Sequence, residues 1–164
     1  MTVATRPELD AATFRSVFRT HAAAVAIITA DDGHGPVGFT ATSLTSVSLT
    51  PPLVSFALST VASSWPAVAV ARSLVVHLLD SGQHELARRF ATSGIDRFAA
   101  PTRWSRLDTG EPALDEAPIR LRGLVEHRYP AGDHHIVVVR LTAADVARPH
   151  SPLIYHGGSY ASLT

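Results

Sequence analysis

Between residues 22 and 48 the chain spells out a β-hairpin, and no other feature constrains the fold as much. Residues 22–30 (AAAVAIITA) are an apolar run of strand length. Asp31-Asp32-Gly33-His34-Gly35-Pro36, a cluster of turn formers, comes next. A second strand-like run extends from Val37 to Ser48. Two such runs joined by a short turn pair antiparallel, because parallel neighbours need a long crossover. Gly33 to Gly38 also matches G-x-G-x-x-G, the phosphate turn of dinucleotide folds. That motif works only where a strand passes into a helix. Here Phe39 to Ser43 suits a strand, and residues 53–60 hold no acid to grip a ribose. The hairpin reading is the better one.

The rest of the chain repeats this grammar. Phe14, Val17, Phe18 and His21 share one helical face over residues 10–21, with Asp10 as N-cap. Pro51-Pro52 breaks the second strand, and Leu53 to Leu58 starts another. Ser63-Ser64-Trp65-Pro66 predicts a helix start, Ser capping and Pro in the first turn, with the helix ending near Arg72. Leu74 to Leu79 is a strand, and Ser81 caps a helix from Gln83 to Ala91, ended near Gly94. Residues 93–118 lack periodicity and predict a long excursion with short helical turns. Ile119, Leu121, Gly123 and Val125 alternate with Arg120, Arg122 and Leu124, a half-exposed strand. Ala131 to His134 is a turn, His135 to Leu141 the returning strand, and Leu153 to Tyr155 a last short one. No βαβ rhythm occurs, so the expected architecture is a mainly β, antiparallel barrel with peripheral helices. It forms one domain over residues 1–164, with 1–9 a flexible N-terminus.

Composition removes whole classes of chemistry. The chain has 164 residues and no cysteine, so disulfides, thiolate metal sites and thiol nucleophiles are excluded. Net charge is zero, and the basic residues, all arginine, nowhere cluster beyond Arg88-Arg89, which argues against nucleic acid. The N-terminal stretch has no signal-peptide core, and no apolar run is long enough to span a membrane. A soluble cytoplasmic protein is expected. The nine histidines show no H-x-H or H-x-x-x-H spacing, so no metal site is expected, and G-x-S-x-G is absent.

One segment stands out chemically. Gly38 to Ser48 carries six hydroxyl side chains in a stretch otherwise suited to a core strand. Buried hydroxyls must find partners. The run is either an exposed strand face, with Thr favoured by β-propensity, or a polar shelf for a flat heteroaromatic ligand. Ser63-Ser64 has the same double reading: a helix cap, or free N–H groups suited to a phosphate.

Four ordered stretches carry a family resemblance over residues 14–163. They are Gly38-Phe39-Thr40-Ala41-Thr42-Ser43 through Ser46-Val47-Ser48; Pro51-Pro52-Leu53-Val54; Leu86-Ala87-Arg88-Arg89-Phe90-Ala91 with Asp96-Arg97-Phe98; and Tyr129-Pro130-Ala131-Gly132-Asp133-His134, followed by Pro152-Leu153-Ile154-Tyr155 and Tyr160. Together they resemble the flavin reductase components of two-component flavin-dependent monooxygenases, proteins of the FMN-binding split β-barrel fold with Greek-key-like antiparallel strands. The resemblance implies an NAD(P)H:flavin oxidoreductase that passes hydride from NADH or NADPH to FMN or FAD. It also implies a homodimer and a partner monooxygenase that receives the reduced flavin.

Residue roles follow from the same resemblance. Phe39, Thr40, Ala41, Thr42 and Ser43 line the isoalloxazine edge, mostly through backbone groups. Ser46 and the stretch Ala57, Leu58, Ser59 meet the ring or ribityl chain. Ser63 and Ser64 hold the flavin phosphate, and Arg89 and Phe90 touch flavin from a helix. His134 lies by the nicotinamide, and Tyr160 covers the site. Three positions depart from the family pattern: Val139 where Gly is common, Arg122-Gly123 where Glu-Cys is common, and Ser159 where Arg is frequent. The rival readings are a non-catalytic flavin- or haem-binding split barrel and a structural module without cofactor.

Overall fold

The computed structural model describes residues 8–163. The expected flexible N-terminus lies, up to residue 7, outside the described residues. In chain order the elements are α1 (Ala11–Phe18), β1 (Ala23–Ala24), β2 (Ala26–Asp31), β3 (Pro36–Ala41), β4 (Thr45–Ser48), β5 (Leu53–Ser59), α2 (Trp65–Val70), β6 (Ser73–Leu78), α3 (His84–Ala91), β7 (Trp104–Arg106), β8 (Pro112–Leu114), β9 (Ile119–Ala131), β10 (His134–Val146), β11 (Leu153–His156) and β12 (Ser159–Ser162).

The hairpin that dominates the sequence is present: β2 and β3 pair antiparallel from Ala26↔Ala41 to Asp31↔Pro36. They belong to a seven-stranded antiparallel sheet ordered β3-β2-β6-β9-β10-β5-β4. Its two edge strands, β3 and β4, are neighbours in the chain, joined by Thr42-Ser43-Leu44. The sheet therefore curls until its edges meet, and backbone pairing stops at that seam. Ser43 bridges it: its hydroxyl accepts from the Ala57 N–H at 2.8 Å and reaches the Ala57 carbonyl at 3.3 Å.

Strand β5 alternates buried and half-buried residues, as a barrel wall must. Phe56, Leu74, Val76, Val137 and Val139 fill the interior with Phe39, and each large side chain buried there contributes about 1.5–3 kcal/mol. A second core of Ile27, Leu79, Phe90, Leu114 and Leu153 lies under α3. Three-stranded β1-β11-β12 and two-stranded β7-β8 complete the β structure.

Several local expectations need correction. The run from Val37 to Ser48 is two strands, because the seam needs its residues 42–44 unpaired. The 93–118 excursion holds no helix; it forms the β7–β8 hairpin, with Trp104 opposite Leu114. Ser64 occupies the N-cap position of α2 but makes no capping bond, and its hydroxyl donates to the Gly38 carbonyl instead. Gln83, not Ser81, takes the N-cap position of α3, which begins at His84. Strands β9 and β10 run well past Val125 and Leu141, while β12 carries no clear sequence signal. Asp10 does cap α1, accepting from the Thr13 N–H at 2.9 Å. Yet α1 buries none of its residues; Phe14, Val17 and Phe18 are all more than half exposed.

Gly123 and Val139 pack directly against each other. A Cβ at Gly123 would lie 2.3 Å from Val139 Cγ1. Val139 is fully buried and occupies the volume that a larger residue at 123 would need.

Candidate functional site

The seam is where this chain leaves polar groups free. Thr42, Ser43, Thr45 and Ser46 are all exposed. Thr40 is not free: its hydroxyl donates to the Ala87 carbonyl on α3 at 2.6 Å and anchors the helix beside β3. Phe39, Ala41 and Leu58 point into the core, so only their backbones can face a ligand at the seam. Ser46 stands opposite Val54, and Ala57 opposite Ile136 on β10.

At one end of the seam a cleft of about 220 Å³ is lined by Gly38, Ser63, Ser64, Asp96, Arg97 and Phe98, among others. Ser63 is exposed and Ser64 is buried. Arg97 is the residue that sequence reading passed over. Its Nη1 donates to the Gly38 carbonyl at 2.6 Å, its Nε to the Thr92 carbonyl at 3.0 Å, and Ser64 Oγ lies 3.5 Å away. Burial pulls its pKa below the usual arginine value, and no carboxylate offsets that cost among the described residues. A half-buried guanidinium held by carbonyls, beside two serines, keeps N–H donors that suit an anion. The only sequence signal was the Asp96-Arg97-Phe98 motif, because Arg97 meets Gly38 across 59 positions of chain.

The other end of the seam is the β9–β10 turn. His134 stands opposite Ser59 in register. Its Nδ1 lies 2.6 Å from Asp133 Oδ1, and that hydrogen bond holds the Asp133 carboxyl below its ordinary value. The Thr60 N–H and hydroxyl both donate to the Asp133 carbonyl, at 3.0 and 3.1 Å. Ser59, Thr60 and His134 are thus one unit.

The remaining candidates lie elsewhere. Tyr160 packs edge-on to Tyr155, centroids 5.3 Å apart, in a cleft of about 530 Å³ with His84, Arg88 and Ser159. Burial raises its phenol pKa, the Tyr155 hydroxyl adds to the rise, and Arg88 opposes it. Phe90 is fully buried behind Gly38, where an added Cβ would meet its ring at 2.7 Å. Arg89 lines a separate cleft on the outer side of α3 with Leu86, Ile95 and Thr102. Neither α3 residue is brought to the seam within one chain.

The seam therefore has a polar, mainly backbone shelf in the middle, an unpaired cation with serines at one end and an imidazole at the other. A flavin nucleotide fits these residues: the guanidinium N–H groups not spent on carbonyls and the exposed Ser63 suit the phosphate, and the backbone of the edge strand β3 suits the ring edge.

Comparison with known proteins agrees. The flavin reductase like domain family matches residues 18–164. An NADH:FMN oxidoreductase of Rhodococcus erythropolis is 46% identical over 166 residues, covering 96% of this chain and 86% of that one. Among solved structures, the NADH:FAD oxidoreductase SgcE6 of Streptomyces globisporus C-1027, in complex with NAD and FAD fragments, superposes with a TM-score of 0.88 at 29% identity, covering 96% and 98% of the two chains. BorF, the flavin reductase component of a bacterial two-component tryptophan halogenase, gives a TM-score of 0.85 at 31% identity over 94% and 98%. The chain belongs to the flavin reductase-like family.

Proposed function

We propose that this protein is an NAD(P)H:flavin oxidoreductase that supplies reduced flavin to a partner monooxygenase. The observation that carries the reading is the unpaired Arg97 beside Ser63 and Ser64, at the end of a shelf of free hydroxyls and amides. Bound flavin supplies the ring that accepts hydride from the nicotinamide. The protein's own work is binding and orientation. Arg97 and Ser63 hold the phosphate, and Ser64, whose hydroxyl is spent on the Gly38 carbonyl, contributes its backbone N–H. The Phe39–Ser43 backbone, with Thr42, Ser46, Ala57, Leu58 and Ser59, sets the ring plane, and backbone N–H groups there stabilise negative charge on the reduced ring. His134, held at Nδ1 by Asp133, presents Nε2 to the nucleotide. No side-chain acid or base is required for hydride transfer.

The names of the relatives above favour NADH as the nucleotide and leave both FMN and FAD open. Tyr160, Arg89 and Phe90 act from outside the seam of one chain. A homodimer gives them their place and covers the apolar face of α1. Among the described residues no helix is long and apolar enough to cross a membrane; we place the protein in the cytoplasm.

Steady-state kinetics with all four nucleotide–flavin pairs test the reading. NADH consumption should rise well above the free-flavin background with FMN or FAD. Background rates with every pair would reject it.

A further inference from the structure

We infer that His135 is a positioning residue that locks the nucleotide end of the site to its phosphate end. The inference rests on the assignment of His134 to the nucleotide and of Ser63 and Ser64 to the flavin phosphate. Successive residues of a strand point to opposite faces. His134 accordingly bonds Asp133 at the turn, while His135 turns to the other face and stacks on Trp65. The ring centroids are 4.1 Å apart and the planes 20° from parallel. Trp65 follows Ser64 directly and opens α2.

Residues 59–65 are therefore clamped twice to the β9–β10 turn. One clamp is polar, from Thr60 to the Asp133 carbonyl. The other is the aromatic stack of Trp65 on His135. Ser63 and Ser64 lie between the two. With both clamps closed, the serines and His134 keep a fixed separation, which hydride transfer between two bound nucleotides demands.

The chemistry of the ring identifies stacking as its grip. Nδ1 of His135 is buried and has no hydrogen-bond partner in the protein. An unmet buried polar atom costs stability, so that nitrogen does not hold the imidazole in place. The face it presents to Trp65 does. A phenyl ring would keep that face and remove the unmet atom.

The full-length protein tests this through FMN affinity by fluorescence quenching, KM for NADH, and Tm. His135→Ala should weaken FMN binding and raise KM for NADH together, each by up to about tenfold, the range of a lost aromatic pair. His135→Phe should restore both constants and melt at or above the wild type. His134→Ala, by contrast, should raise KM for NADH alone. Should His135→Ala fail to fold, His135→Leu fills the volume without a ring face and should show the same joint weakening. The inference is overturned if the alanine or leucine variant melts lower but keeps both constants within about twofold, a structural role only. It is equally overturned if a stable His135→Phe restores neither constant. Failure of the reductase reading is distinct, since the wild type itself would then show no flavin-dependent NADH oxidation.

Discussion

Two neighbouring regions of this molecule treat polar groups in opposite ways. At the seam, Arg97 has carbonyls and a serine around it but no counter-charge, and the hydroxyls of Thr42, Ser46 and Ser63 are exposed. Around the β7–β8 hairpin every buried polar group is satisfied. His77, fully buried, lies 3.0 Å from the Ile27 carbonyl through Nδ1 and accepts the Leu114 N–H at Nε2, 2.9 Å. Thr29 donates to the Pro112 carbonyl at 2.5 Å. Glu111, 4% exposed, pairs with Arg122 at 2.8 Å and accepts from Thr109. Asp31 and Arg106 close the rim at 2.7 Å. This region looks like a site, with a cleft of about 420 Å³ and five charged or hydroxyl residues on its wall. Its buried side-chain polar groups already have partners among the described residues. Saturation distinguishes a structural clip from a binding surface, and crowding of charge alone does not.

That contrast can be broken by experiment. The largest effect should come from the saturated region: Glu111→Ala leaves Arg122 unpaired and should cost about 3–5 kcal/mol of stability by denaturant unfolding. Flavin affinity of the folded fraction should be unchanged. A stable variant that fails to bind flavin would reverse the assignment of the two regions.

Next in size is an acid effect. Burial holds His77 neutral and moves its pKa from 6.5 down to about 4, with the Ile27 contact opposing and the charge of Arg120 assisting. The unfolded chain takes up a proton near pH 6.5 and the folded one only near pH 4. Stability is therefore full above pH 6.5 and falls as the pH drops towards 4, by about 1.4 kcal/mol per unit at most. Glu111 adds to the loss at lower pH. Burial pushes its carboxyl up, but the hydrogen bonds from Arg122, Ser73 and Thr109 outweigh that and bring it down to about 2. Its contribution is whole above about pH 4.5 and disappears towards pH 2. His77→Asn, if it folds, should flatten the upper part of the Tm–pH curve.

The unsaturated region should respond in the opposite sense. Arg97→Gln should weaken flavin binding by about 10–100-fold, the worth of a charged hydrogen bond. Its Tm should fall less than that of Glu111→Ala, because carbonyl hydrogen bonds but no ion pair are lost. Loss of Tm without loss of affinity would make Arg97 another clip. Gly123→Ala should cost about 1–3 kcal/mol through its clash with Val139. Adding Val139→Ala should recover part of that, a positive coupling that independent sites would not show. The smallest effect should be that of His134→Ala, with about a tenfold rise in KM for NADH and flavin affinity retained.

Much of this was legible before any coordinates. Turn chemistry at 31–36 and the absence of a βαβ rhythm led to an antiparallel barrel. The hydroxyl run at 40–46 marked the seam, although its division into β3 and β4 depends on how the curled sheet closes. Ser64 misled, because a Ser before Trp-Pro has the look of a cap, while its hydroxyl is taken by Gly38, 26 residues away. Phe90 and Arg89 carried the family motif, yet α3 turns one into the core and the other to an outer cleft.

Local chemistry and pattern in the chain alone determined most strands of the large sheet, their antiparallel pairing and the exclusion of thiol chemistry. These follow from nearest-neighbour sterics and side-chain period. The tertiary structure alone decided which polar groups are spent and which are free: that Thr40 holds α3, that Glu111 is satisfied, that Arg97 reaches Gly38 without a counter-charge, and that His135 lies on Trp65. Each is a contact between residues far apart in sequence. Whether a polar group is satisfied depends on its neighbours in space, and no stretch of sequence contains them.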